Sequence, residues 1–224
     1  MDKYTLKVSF KSPAHIGSGE GFGAIIDSDI VFDEIGIPYI PAKRIKGCLR
    51  DSAEEVNDMF KIAKIDKISI DMKTFGEKGR ESDKPSPVYF SNLVIENYNQ
   101  NRLWLEYFLD TNKYSAFLSK DYILETFTQI RQQTKIDPDT GIAFQNSLRT
   151  IRLLDKGSEF YGDLYINSSD KDKANKIRNT IVLACMNFRC MGTQRNRGFG
   201  ELTCSLLKGK KEISINDLKK LCIN

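Results

Sequence analysis

The chain has 224 residues, of which 40% are hydrophobic and 29% charged, and its formal net charge is +4. A chain of this length can bury a core without disulfides, and the small net charge excludes a strongly basic protein. Any nucleic-acid surface must therefore come from clustered cations.

The five cysteines show no C-x-x-C spacing, so we expect reduced, mostly buried thiols and no zinc site. No apolar segment is long enough to cross a membrane, and the chain does not open on a signal peptide. We therefore expect a cytoplasmic protein with no membrane partner.

The first half of the chain predicts a strand, a loop, a hairpin and a helix. "YTLKVSF" alternates apolar and polar residues, which is typical of a half-buried strand. The glycine-rich "SPAHIGSGEGFGA" predicts a loop, and "IIDSDIVFDEIGIPYIP" predicts a short strand or hairpin with a turn near Gly36. After Pro41 the spacing predicts a helix, whose apolar face is Ile45, Cys48, Leu49, Ala53 and Val56.

The second half alternates strands and helices. "VYFSNLVIE" predicts a strand, and Leu124, Phe127, Thr128 and Arg131 have helical spacing. "KIDPDTGIAFQNSLRTIRLLDKG" predicts a turn that leads into a strand, with a basic rim formed by Lys135, Arg149 and Arg152. Then follow a strand, "EFYGDLYIN", a helix, "KDKANKIRNTIVLACMNFRCMG", with Gly192 as its C′ residue, and a last strand, "GELTCSLL".

This order predicts an α+β fold, namely a ferredoxin-like or RRM-like antiparallel sheet with helices on one face. The open face of such a sheet is a common RNA-binding platform. We expect a single domain over residues 1–224, with insertions around 61–87 and 103–145 that include a projecting hairpin or thumb.

Two stretches carry clustered positive charge. In "MGTQRNRGFGEL", Arg195 and Arg197 lie among Gly192, Gly198 and Gly200, which permit positive φ and the close approach of another backbone. The alternative is a capped helix end followed by a tight turn. In "IPAKRIKGCLRD", helical spacing places Lys43, Lys46 and Arg50 on one stripe beside Arg44. Cations at a helix N-terminus oppose the helix dipole, which favours an external anion, although a solvated basic face is the alternative.

Acidic residues and one histidine are the remaining candidates for chemistry. Asp27 and Asp29 would share a face of a strand, and paired carboxylates can hold Mg²⁺, although such residues more often pair with nearby Lys or Arg. The single histidine, His15, could be a general base, a phosphate contact or a hydrogen-bonded structural residue.

Together these stretches resemble the RAMP superfamily of CRISPR RNA-guided effector proteins. The resemblance rests on five blocks in the family's order, spread over residues 4–203: "AHIGSG", "IDSDIVFDEIGIPYIPAKRIKGCLR", "TFGEKG", "TKIDPDTGIAFQNSLRTIRLLDKGSEFYGDLYI" and "MGTQRNRGFGEL". It implies an RRM-like core that binds guide RNA within a type III effector complex, with target RNA, other subunits and copies of itself as partners.

The resemblance also implies roles for individual residues. Asp27, with Asp29 as second choice, would cut target RNA with Mg²⁺ or another divalent cation. Guide RNA would contact His15, Lys43, Arg44, Lys46, Arg50 and the loop from Gly192 to Gly200. The segment from Ile136 to Phe144 would push between nucleotides and kink the guide–target duplex.

Two departures keep other hypotheses open beside the favoured backbone-type nuclease. The family's loop often has a second glycine at the position of Gln194, and backbone subunits commonly read P-G-S-S-L-K-G where this chain has "PAKRIKG". The chain could instead be a non-catalytic scaffold or the subunit that caps the guide's repeat-derived handle. A metal-independent guide-processing endoribonuclease with His15 as its base ranks lower. No phosphate-loop or dinucleotide motif supports an unrelated small-molecule enzyme.

Overall fold

A five-stranded antiparallel sheet forms the centre of the protein. The computed structural model describes residues 1–19, 21, 25–65, 68, 70–76, 86–111 and 114–213. β1 (Asp2–Phe10) lies between β5 (Glu159–Ile166) and β6 (Leu202–Lys208), while β2 (Val88–Phe90) pairs with β5 and a short β7 (Lys211–Glu212) pairs with β6. The order β6-β1-β5-β2 is that of the ferredoxin-like β-α-β-β-α-β unit, so the predicted fold class is confirmed.

Two helices cover one face of this sheet. The alternation of β1 directs Leu6, Val8 and Phe10 into the core, as the sequence predicts. Against them pack α1 (Ala42–Ile62) and α4 (Lys171–Asn187), whose apolar stripes are also buried. The burial of these stripes in one contiguous core provides most of the free energy that holds helices to sheet.

Each long helix begins with a polar partner for its free N–H groups. The N–H of Ala42 donates to Asn92 Oδ1 at 2.9 Å, which compensates for Pro41, an N-cap without a hydrogen-bonding side chain. At α4, Asp170 Oδ1 accepts from the N–H of Asp172 at 2.9 Å. The predicted starts of both helices are confirmed.

The end of α4 differs from the prediction. The helix stops at Asn187, five residues before Gly192, because Phe188 takes an extended conformation and the carbonyl of Arg189 accepts from the N–H of Leu202. The chain thus joins the edge of β6 before the glycine. Gly192, at φ +99°, is not a helix cap and serves a tertiary contact instead.

A second layer consists of two shorter helices and a two-stranded ribbon. α2 (Tyr98–Asp110) and α3 (Lys120–Glu125) enclose a small cluster around Ile35, Ile37 and Ile123. The ribbon pairs β3 (Thr128–Gln133) with β4 (Arg149–Leu154). The predicted helix through Leu124 and Arg131 is wrong beyond Glu125, because the pairing of β3 with β4 overrides the apparent helical spacing.

Several expected strands are shorter than predicted. Beyond Phe90 the run "SNLVIE" makes only isolated bridges, and the segment around Gly36 is a turn with one bridge between Phe32 and Pro38. The four described cysteines are free thiols, with Cys185 and Cys204 buried, whereas Cys222 lies outside the described residues. None of the described helices is long and apolar enough to span a bilayer. The insertion boundaries stay a prediction, and "TFGEKG" is described only through Gly76.

Candidate nucleic-acid interface

Three loops that are distant in sequence meet at His15. This residue is 5% exposed, and its ring Nδ1 lies 2.7 Å from Thr193 Oγ1 while Nε2 lies 3.2 Å from Ser28 Oγ. Burial lowers the pKa of His15, which favours the neutral ring that two hydroxyl partners can satisfy. Both ring nitrogens thus have partners within the described chain, and His15 links the arginine-rich loop to the loop that carries Asp27.

Glycines allow the loop from 192 to 200 to lie against the segment before it. A Cβ on Gly192 would collide with the carbonyl oxygen of His15, and one on Gly200 would collide with that of Met191. The N–H of Thr193 donates to the His15 carbonyl at 3.1 Å, and the N–H of Gly200 donates to that of Pro13 at 2.8 Å. Both glycines are thus required by close backbone approach and by positive φ.

The two arginines of this loop lie at its exposed tip. Residues Arg195–Arg197 form one 3-10 turn, and both arginine side chains are exposed. Gly198 has φ +80° and open space where its Cβ would be. The preceding Gln194 has φ +57°, a conformation that favours glycine. The tip therefore offers two guanidinium groups and bare backbone to an external partner.

A groove separates this tip from the ribbon. It has a volume of about 810 Å³, and its lining residues are Gln133, Thr134, Lys135, Ile136, Asn146, Ser147, Arg149, Gln194 and Arg197. Of these, Lys135, Arg149 and Arg197 are exposed cations, and no acidic side chain is in the described lining. The groove combines positive charge with hydroxyl and amide groups, which suits a sugar–phosphate backbone.

The segment beyond β3 projects from the ribbon and exposes apolar side chains. It is closed by a bridge between Ile136 and Ala143 and by the N–H of Phe144, which donates to the Lys135 carbonyl at 2.8 Å. Ile136 is 59% exposed and Phe144 is 42% exposed, with the Lys135 ammonium 4.7 Å from the Phe144 ring centroid. An exposed aromatic ring beside a cation can stack on nucleobases, and an exposed aliphatic side chain can insert between them.

Asp27 and Asp29 have different environments, so the shared face predicted for them is not present. Residues 27–29 run beside β4 through a parallel bridge between Ser28 and Ile151. Asp27 is exposed, and its Oδ2 accepts from the N–H of Thr150 at 2.6 Å. Asp29 is 3% exposed, and its Oδ1 lies 3.1 Å from Arg152 Nε.

This pairing also corrects the predicted basic rim. Arg152 is buried against Asp29 and is therefore unavailable to a ligand, whereas Arg149 on the same strand lines the groove. Asp29 Oδ2 is buried with no hydrogen-bond partner in the described part of the chain. The Thr150 contact places Asp27 next to the groove wall, since Thr150 directly follows Arg149.

The cations of α1 differ in how free they are. Lys43 is exposed, whereas Arg44 and Lys46 are half-buried. The pKa of Lys46 is lowered mainly by burial and to a lesser extent by the positive charge of Arg50. Arg50 donates to the carbonyl of Gly76 at 2.8 Å and lies 3.7 Å from Glu54, so it is held by its own chain.

Gly47 is a notable residue of the same helix. It is exposed in mid-helix, and an added Cβ would meet nothing within 4 Å. Glycine at such a position destabilises a helix by about 1 kcal/mol relative to alanine. Packing within the described chain does not explain it, whereas close approach of an external ligand beside Lys43 would.

The open face of the main sheet is neutralised by its own side chains. Lys3 pairs with Asp163 at 2.9 Å and Lys7 pairs with Glu159 at 2.7 Å, while Tyr165 and Tyr161 donate to the same two carboxylates. Lys7 and then Tyr161 hold the pKa of Glu159 at about 2. Lys3 and Lys7 each have a carboxylate partner, so these two lysines offer no unpaired charge to a phosphate that approaches this face.

Comparison with known proteins agrees with this architecture. The family model described as "RAMP superfamily" matches residues 7–203. No curated protein matches the chain. One similar solved chain, from "Type III-B Cmr-beta Cryo-EM structure of the Apo state", has a TM-score of 0.65 at 15% identity and covers 93% of this chain and 98% of its own.

A second similar chain comes from "Cryo-EM structure of the Type III-B Cmr-beta bound to cognate target RNA". Its TM-score is 0.63 at 13% identity, and the match covers 92% of this chain and 97% of that one. At sequence identities this low, the similarity to the two solved chains supports the fold alone. The family model, in contrast, matches most of the sequence. The chain belongs to the RAMP superfamily.

Proposed function

We propose that this chain is a guide-RNA-binding subunit of a type III CRISPR effector complex. The observation that carries the proposal is the groove between the arginine-rich tip and the ribbon, which gathers Lys135, Arg149 and Arg197 without an acidic side chain in its described lining. Phosphates are the ligand that such a site suits best. The chain's similarity to subunits of a Cmr-beta complex, one of them titled as bound to cognate target RNA, supports the same assignment.

Guide RNA would follow the surface from α1 to the arginine-rich tip. Lys43 and the bare backbone at Gly47 would contact it first, and Arg195 and Arg197 would continue the track. The groove and the projecting hairpin would then receive the paired target strand. The exposed side chains of Ile136 and Phe144 would insert between nucleotides and kink the duplex.

Asp27 is the residue we assign to cleavage of the target strand. It is exposed beside the groove wall, and one of its carboxylate oxygens has no hydrogen-bond partner among the described residues. That arrangement fits Mg²⁺, which is commonly held by one or two carboxylates together with substrate phosphates and water. A bound divalent cation would supply charge stabilisation at the scissile phosphate. The Thr150 N–H would keep the carboxylate oriented.

The decisive experiment for the role in the complex is a crosslinking map. The chain is co-expressed with its neighbouring subunits and a repeat array, irradiated, and the attached RNA is sequenced. Crosslinks at regular intervals along the spacer are expected for a repeating backbone subunit. Crosslinks confined to the repeat-derived handle would assign a capping role instead, and no guide-derived RNA at all would overturn the proposal.

Cleavage is tested separately with Asp27→Asn in the purified complex. Asparagine keeps an oxygen that can accept from the Thr150 N–H, so folding and RNA binding should be retained. We expect target cleavage in Mg²⁺ to be lost while guide and target remain bound. Unchanged cleavage would make the subunit a non-catalytic scaffold. The metal-independent endoribonuclease is disfavoured because both ring nitrogens of His15 are already in hydrogen-bonding contacts.

A further inference from the structure

Gln194 occupies a backbone position that favours glycine. Its φ is +57°, in the left-handed region, where a residue with a Cβ is strained. The side chain compensates with a specific contact, since its Oε1 accepts from Gln133 Nε2 at 2.9 Å. Gln194 keeps this unfavourable backbone conformation and makes one defined side-chain hydrogen bond. We therefore look to that hydrogen bond for the reason why a glutamine is present.

This hydrogen bond connects the two walls of the groove. Gln133 is the last residue of β3, at the base of the projecting hairpin, and Gln194 directly precedes the turn that presents Arg197. Both glutamines line the groove, with Arg149 on the ribbon wall and Arg197 on the loop wall. The distance between the cations of the two walls therefore depends on this contact.

A second contact secures the other end of the loop. Phe199 is 6% exposed and packs with Ile151 and Leu153, and the Arg131 guanidinium lies 5.5 Å from its ring centroid. Between this anchor and the arginines lies Gly198, at φ +80° with open space around it. Because glycine allows the backbone to pivot there, Phe199 alone does not fix the arginine-rich tip.

We infer that the Gln133–Gln194 hydrogen bond is a clasp that sets the width of the groove before RNA binds. The two glutamines are positioning residues: they hold the projecting hairpin at a defined distance from the arginine-rich tip, and so from an RNA strand bound there. A guide–target duplex spans both walls and depends on that distance, whereas a single strand contacts the loop wall alone. The inference rests on the proposed function.

The test uses the full chain with four variants: Gln133→Ala, Gln194→Gly, the double variant, and Gln129→Ala as a matched control. Gln129 lies on the same strand and donates to Asp155 at 3.1 Å, away from the groove. Spin labels on non-natural residues at Asn196 and Pro138, both exposed, report the groove width without changing the cysteines. Affinity is measured for a single-stranded RNA and for the same strand annealed to its complement.

A narrow distance distribution is expected for the wild type and the control, and a broad one for the three clasp variants. Loss of one hydrogen bond should weaken duplex binding about fivefold, and in Gln133→Ala, which changes only the ribbon wall, single-strand binding should stay within about twofold. The double variant should be no weaker than either single one, as coupled residues behave. Gln194→Gly should also melt no lower than the wild type, because glycine relieves the strained backbone, so its weaker duplex binding would not reflect a damaged fold.

Different results would overturn different claims. If the clasp variants keep a narrow distribution, or bind duplex as the control does, the clasp is refuted while the RNA-binding groove stands. Additive losses in the double variant would likewise refute it. If the wild-type chain binds neither RNA at low salt, the proposed function fails, and the clasp with it.

Discussion

The groove and the open sheet face contain similar side chains with opposite consequences. On the sheet face, Lys3 and Lys7 each lie within 3 Å of a carboxylate, and tyrosines donate to the same carboxylates. In the groove, Lys135, Arg149 and Arg197 have no acidic neighbour in the described lining. A phosphate that approaches the sheet face meets charges that already cancel, whereas one that approaches the groove meets uncompensated cations.

The same contrast occurs along one strand. Arg149 and Arg152 are both in β4, yet the first is exposed in the groove and the second is buried with Asp29. Residue type and position in the sequence do not show which of the two arginines is exposed and which is buried. What decides is whether a carboxylate of the same chain lies within reach of the guanidinium.

The largest expected effect is on stability, from Arg152→Ala. Removing one partner of a buried ion pair leaves Asp29 charged and unpaired, which should lower the free energy of unfolding by about 3–5 kcal/mol. Urea denaturation measures the change, with Arg149→Ala as the control that should stay within about 0.5 kcal/mol of wild type. A loss below about 1 kcal/mol for Arg152→Ala would contradict a structural role for the pair.

RNA affinity should depend on the groove cations and on salt. With three phosphate contacts from a guide–target duplex that spans both walls, raising salt from about 50 to 200 mM should weaken binding roughly fortyfold. The variant with Arg149→Ala and Arg197→Ala should bind more weakly and with a shallower salt slope, whereas Lys3→Ala with Lys7→Ala should change neither. Filter binding across the salt series checks both pairs, and equal losses in the two pairs would remove the distinction between the surfaces.

Gly47→Ala should change stability and binding in opposite directions. The added methyl meets nothing within 4 Å and improves helix propensity, so the free energy of unfolding should rise by about 0.5–1 kcal/mol. The same methyl occupies the surface where RNA would approach α1, so affinity should fall several-fold. Urea denaturation and filter binding on one preparation test this, and a stabilised variant with unchanged affinity would exclude α1 from the RNA track.

His15 should make stability depend on pH. Its pKa is lowered in the folded protein by burial, so below about pH 6.5 the unfolded chain binds more protons than the folded one. Stability should therefore fall as pH drops through this range, and His15→Gln should remove that component of the slope. The urea midpoints at about pH 7.5 and 5.5 for both proteins provide the measurement. If His15→Gln keeps the wild-type dependence of stability on pH, a group other than His15 causes that dependence.

The smallest expected effect is a gain of RNA binding on the sheet face. Glu159→Gln with Asp163→Asn leaves Lys3 and Lys7 without carboxylate partners, and two freed cations should raise low-salt RNA affinity a few-fold.

The single change Glu159→Gln gives a second test of this face. The pKa of Glu159 is lowered to about 2, so its contribution to stability is present above about pH 4.5 and is lost as pH falls towards 2. Glu159→Gln should reduce that acid dependence, by less than about 1 kcal/mol because the pair is exposed. For the variant with Glu159→Gln and Asp163→Asn, unchanged RNA affinity would mean that the pairing of Lys3 and Lys7 with carboxylates is not what limits RNA binding to this face.

The sequence predicts the fold class and the long elements because these depend on local patterns. The alternation of β1 and the apolar stripes of α1 and α4 are visible as spacing, and each buries the residues it predicts. The order of five family blocks likewise identifies the RAMP superfamily without any contact between them being known. The helix expected through Arg131 fails because strand pairing with β4 is a long-range interaction that spacing does not show.

The candidate site is decided mainly by tertiary structure. Nothing local distinguishes Arg149 from Arg152, Asp27 from Asp29, or the lysines of β1 from the cations of the groove, since each differs only in which distant side chain lies opposite. His15 becomes a link because residues 13 and 178 positions away bring hydroxyls to its two nitrogens. The sequence by itself determined which cations, glycines and acids the chain has and the elements that carry them. Only the folded chain decided which charges cancel one another and which have no acidic neighbour in the described lining of the groove.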